Sequence, residues 1–85
     1  MGPLLAWEAK NNDALKQYLK VDKHGNIDFK EGFKDKFKTQ EEFIDYLTTE
    51  AGLNEDYAKA LATSLDSYSA IHSIWSKNAL IEGIG

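Results

Sequence analysis

The sequence predicts a small all-α domain, a bundle of four to five short helices, with a short β-hairpin or turn near residues 20–29. Three observations carry this reading. Apolar residues recur at three- and four-residue spacing through most of the chain. Helix start and stop signals punctuate that pattern, the strongest being Thr39-Gln40-Glu41-Glu42. Apolar residues make up 42% of the 85, close to globular usage, and ten aromatics (four Phe, four Tyr, two Trp) supply large side chains to bury. A chain this short builds one core, so residues 1–85 read as a single helical domain, whether whole or a piece of a longer protein.

Pro3 suits a first helical turn, and Leu4, Leu5, Trp7 and Ala9 begin an apolar face. Asn11-Asn12-Asp13 interrupts it, with Asn12 or Asp13 able to cap a fresh start before Leu15, Tyr18 and Leu19. One bent helix or two short ones are expected from about residue 4 to 20. Val21, Ile27 and Phe29 then alternate around His24-Gly25-Asn26, a composition suited to a tight turn. Phe29, Phe33 and Phe37 recur every four residues, the spacing of a helical stripe, although Gly32 weakens any helix there.

Thr39 and Glu42 form a capping box, in which each side chain accepts from the other residue's backbone amide. The helix it opens carries Phe43, Ile44, Leu47 and Ala51 and ends at Gly52-Leu53, with Gly in the left-handed position. Asn54 caps the next helix, whose inner face is Ala58, Leu61, Ala62 and Leu65. A break at residues 66–69 precedes a last helix that buries Ile71, Ile74 and Trp75, with Ala79 beyond and a stop at Gly83.

Fourteen acids against ten bases leave a net charge of −4, which disfavours a nucleic-acid partner through repulsion of phosphates. No apolar run reaches the roughly 18 residues of a membrane span, and MGPLLAWEAK lacks the regions of a signal peptide. With no cysteine, disulfide and thiolate chemistry is excluded, a composition that favours a cytoplasmic setting.

Residues 20–31, KVDKHGNIDFKE, resemble the calcium loop of an EF-hand. With Glu31 taken as position 12 of such a loop, Asp22 falls at position 3, Gly25 at 6, Ile27 at 8 and Asp28 at 9. The resemblance implies Asp22, Asp28 and Glu31 as ligands. Lys20 stands at position 1, where an ammonium has no lone pair to give, and His24 at position 5 offers nitrogen to a hard cation. No bound metal and no cofactor are therefore expected. The competing reading makes His24-Gly25-Asn26 a plain turn and Ile27 and Phe29 core residues.

FIDYLTTEAGLNEDYAKAL has the spacing of a helix-turn-helix, but its second helix opens with Glu55 and Asp56, which would face phosphates. Two histidines, no cysteine and no Gly-rich phosphate loop leave no catalytic set, so an enzyme is not expected. The expected function is that of a non-enzymatic interaction or structural assembly module, whose partner is another protein or a copy of itself; the alternatives are a degenerate EF-hand-like, metal-responsive helix-loop-helix module and a helix-turn-helix DNA-binding domain, which the acidic charge disfavours. Trp7 and Trp75 lie near the chain ends, and Leu80 and Ile81 follow Ala79 so closely that one helical face cannot bury all three. The expected contact surface is Leu4, Trp7, Ile74, Trp75, Leu80 and Ile81; the competing reading buries both Trp rings.

Overall fold

The computed structural model describes the backbone of residues 2–81 and the side chains of residues 5–79. Among these residues there are six helices and one short antiparallel sheet, so the domain is mostly helical but not all-α. The order is α1 (Gly2–Asn11), α2 (Asp13–Lys16), β1 (Leu19–Val21), β2 (Ile27–Phe29), α3 (Phe33–Lys36), α4 (Gln40–Thr49), α5 (Glu55–Asp66) and α6 (Ser69–Ile81). The radius of gyration is 12.1 Å, close to the ~12 Å expected of a folded chain this long.

Asn12 divides the first helical stretch in two. Its backbone is extended (φ −102°, ψ 115°), and its side chain accepts from the Ala14 amide, giving α2 its own start. Leu5 and Ala9, four residues apart, face the core from α1, and Leu15 does so from α2.

The hairpin follows the predicted alternation. Leu19 pairs with Phe29, Lys20 with Asp28 and Val21 with Ile27. Leu19 and Ile27 point inward, while Lys20 and Asp28 are exposed. Asp22 organises the turn: its amide donates to the Asn26 carbonyl, and its carbonyl accepts from Gly25, which sits at φ 84°.

The expected Phe stripe is not one helix. Phe29 ends β2, Phe33 opens the single turn of α3 after Gly32 at φ 96°, and Phe37 caps that turn. The rings nonetheless meet in series, tilted or edge-on to one another. Centroids lie 5.1 Å apart for Phe29–Phe33, 5.0 Å for Phe33–Phe37, 5.1 Å for Phe37–Phe43 and 5.8 Å for Phe43–Trp75. Beyond the area they bury, such pairs contribute about 0.5–1.5 kcal/mol each. This aromatic row ties the hairpin to α4 and α6.

The capping box is formed as predicted: the Glu42 amide donates to Thr39 Oγ1 at 3.2 Å, and the Thr39 amide donates to Glu42 Oε1 at 3.1 Å. The end of α4 is wider than a standard Schellman turn. The Ala51 amide reaches back five residues to the Tyr46 carbonyl, the Leu53 amide six residues to Leu47, and Gly52 takes φ 71°. Asn54 accepts from the Asp56 and Tyr57 amides and starts α5, which packs against α4, α1 and α6. Its Ala58, Leu61, Ala62 and Leu65 are all buried. The expected stop at Gly83 lies outside the described residues.

Candidate interaction surface

On α1, Leu5, Glu8 and Ala9 are buried, whereas Trp7 is 58% exposed and is the one large apolar side chain in the open among the described residues. Two residues along a helix is a rotation of about 200°, so seating Leu5 in the core turns Trp7 to the outside. Its helix is held firmly beneath it. The Asn11 side-chain amide donates to the Trp7 carbonyl at 2.8 Å. The Glu8 carboxylate, on a residue 6% exposed, accepts from the Tyr57 hydroxyl on α5 at 2.8 Å and from the Asn12 side-chain amide at 3.5 Å. Burial, and next the Glu8 carboxylate, raise the Tyr57 hydroxyl above its ordinary 10.0, since ionising it would place a second negative charge there.

The other expected contact residues fare differently. Trp75 is a core residue, 3% exposed, and its indole N–H donates to the Phe37 carbonyl at 2.8 Å. An indole carries a polar handle into a core only where such an acceptor waits, and Phe37, ending α3, has no helix to consume its carbonyl. Ile74 is half-buried and packs against the core. The side chains of Leu4, Leu80 and Ile81 lie outside the described residues. The structure thus leaves Trp7 as the exposed member of the expected set among the side chains it describes.

Two grooves of opposite charge lie among the described residues. One, between α4 and α5, has Ile44 and Leu53 in its lining and the exposed acids Glu41, Asp45 and Glu55 along it. Lys59 also borders it and pairs with Glu55 at 3.3 Å. The other has Ala9, Leu19 and Val21 in its lining and Lys10, Lys16, Lys20 and Lys30 around it. The separation follows chain position. Residues 1–38 hold eight lysines and six acids, and residues 39–85 hold two lysines and eight acids.

Residues 20–31 span the hairpin described above, with β2 at Ile27–Phe29 inside the segment and the single turn of α3 following it at Phe33–Lys36. Asp22 Oδ1 accepts from the His24 and Asn26 amides at 2.8 and 2.9 Å, and Oδ2 from the Asn26 side chain at 3.2 Å. These bonds, the Asn26 amide first, hold the Asp22 carboxyl below its ordinary value. Asp28 stands opposite Lys20, and Glu31 lies beyond the strand. Among the described residues no three His, Cys, Asp or Glu side chains come together in a way that could hold a metal ion.

A polar relay crosses the corner between α5 and α6. His72 Nδ1 lies 3.3 Å from Asp66 Oδ2, and His72 Nε2 lies 3.2 Å from Ser76 Oγ. The order matches a nucleophile, base and orienting acid. His72 and Ser76 are both exposed, however, and the relay sits on the outside of a helix whose backbone amides are spent within it. Donors aimed at a developing oxyanion are the largest contribution to acyl transfer, and interior helix amides cannot serve as such. The His72–Ser76 spacing of four was visible in the sequence; Asp66 joins them only through the interhelical corner. No helix among the described residues is long and apolar enough to cross a membrane.

Comparison with protein-family models, with curated proteins and with solved structures finds no match for this chain, so its functional reading rests on this geometry.

Proposed function

We propose that this domain is a non-enzymatic interaction or structural assembly module that docks on protein through the Trp7 face of α1. One observation carries the proposal: a helix packed on the core through Leu5 and Ala9 presents an indole at 58% exposure. A Trp side chain buries about 150–250 Å² when covered, so the exposed share corresponds to roughly 2–3.5 kcal/mol of unrealised burial at ~25 cal/mol per Å². That is hot-spot scale for one residue at an interface. The net charge of −4 makes protein a better partner than nucleic acid or an anionic membrane.

Replacing Trp7 with the photo-crosslinking residue p-benzoylphenylalanine tests this in the cells that produce the protein. Irradiation should yield a discrete covalent adduct with protein, competed away by the unmodified chain. Absence of any adduct, with the variant folded, would overturn the proposal.

A further inference from the structure

We infer that the partner of the Trp7 face is a second copy of this chain, whose acidic α4–α5 groove receives Trp7 and the lysines beside it. This rests on the interaction reading above and names the occupant. Trp7 and Lys10 are three residues apart on α1 and therefore share a side of the helix. Lys10 leads into the groove edged by Lys16, Lys20 and Lys30. The opposing groove offers what this face lacks, three exposed carboxylates over the partly buried apolar side chains of Ile44 and Leu53.

The charges available for such a contact are largely unspent. No ion pair among the described residues involves Lys10, Lys20, Glu41 or Asp45. Asp28 stands across the ladder from Lys20 but does not reach ion-pair distance. Lys16 and Glu55 are each paired within their own helices, and Lys30 donates to the Lys16 carbonyl. Of the four lysines around this groove, Lys10 and Lys20 are thus the ones left, among the described residues, to meet Glu41 and Asp45 of the other copy. The acidic groove is an open depression of about 690 Å³, wide enough to take an indole and its neighbours. The two grooves share no lining residue, so a copy can give one and take the other at once. Contact between unlike patches is heterologous and builds rings or open chains.

Sedimentation of the full chain in 50 mM and in 1 M NaCl is the first test. Association should weaken about tenfold or more in high salt, because the Debye length shrinks from over ~10 Å to ~3 Å. The second test uses two charge-reversed chains, Lys10→Glu with Lys20→Glu, and Glu41→Lys with Asp45→Lys, each checked for native circular dichroism. Each alone should be monomeric, and their mixture should associate again, since each then carries the grooves the other needs. The unmodified protein remaining monomeric at millimolar concentration in low salt would overturn the inference, as would association indifferent to salt or unrestored by mixing. The crosslinking experiment separates the two proposals. An adduct at twice the 9.6 kDa chain mass, mapping to α4 or α5, supports both. An adduct with a different protein overturns the second copy and leaves the interaction module standing.

Discussion

Trp75→Phe separates the two tryptophans by the work each does. The substitution keeps an aromatic ring against Phe43 but removes the indole N–H that reaches the Phe37 carbonyl at 2.8 Å. Leaving a buried carbonyl unpaired costs about 1–3 kcal/mol. The smaller ring vacates the space of two carbons or so, at about 0.8 kcal/mol each before any cavity penalty. The expected loss is about 3 kcal/mol, a large share of the ~4–13 kcal/mol that a domain of this length possesses. It should lower Tm by about 12–24 °C and the urea midpoint by about 1–3 M. Far-UV circular dichroism is the right readout, since the indole that would otherwise report is the one removed. Trp7→Ala, with its ring in solvent, should change stability by no more than about 0.5 kcal/mol. Equal effects of the two substitutions, or a Trp75→Phe loss below about 1 kcal/mol, would refute the assignment of Trp75 to the core and Trp7 to the surface. Trp75→Ala, which should cost about 3–5 kcal/mol from the core, is a poor probe of association because it weakens the fold at the same time.

Tyr57→Phe strips a hydrogen bond from the buried Glu8 carboxylate and should cost about 1.5–3 kcal/mol, as bonds to charged groups do; an unchanged urea midpoint would mean that Glu8 finds its partners elsewhere. Asp22 has a lowered carboxyl in the folded state, so its contribution to the turn is present above the ordinary aspartate value of 3.8 and is lost as pH falls through the lower folded value. Amide shifts of His24 and Asn26 should therefore titrate with a midpoint below 3.8, and a midpoint above it would contradict the bonds described. The same two amides, with those of Gly25 and Ile27, should stay in place on addition of millimolar calcium; a saturating shift at micromolar calcium would instead make residues 20–31 a working EF-hand-like loop. Hydrolysis of p-nitrophenyl acetate should run no faster than with an equal concentration of free imidazole, whereas an acceleration of about a thousandfold that Ser76→Ala abolishes would make the Asp66–His72–Ser76 relay catalytic.

Much of the local structure was legible because its causes are local. A capping box needs only Thr39 and Glu42 three residues apart, and a left-handed helix end needs only a residue without Cβ at Gly52. The buried face of α5 follows from a period of 3.6, and the hairpin from alternation around a Gly-Asn turn. The Phe spacing misled because a period of four is also what a strand end, a glycine turn and one helical turn produce in succession. Gly32 was the available sign of that break.

What the sequence by itself determined is the placement of most elements, their caps and the residues facing inward from α4 and α5, since each depends on neighbours within a few positions. Only the tertiary structure decided which tryptophan is covered, since Trp75 is held by a carbonyl 38 residues away and Glu8 by a hydroxyl 49 residues away. It also decided that lysines from α1, α2 and the hairpin border one groove while acids of α4 and α5 border another. Linear order separates the charges into halves, but only packing turns each half into a face, because a surface is made by residues that meet through the core they share.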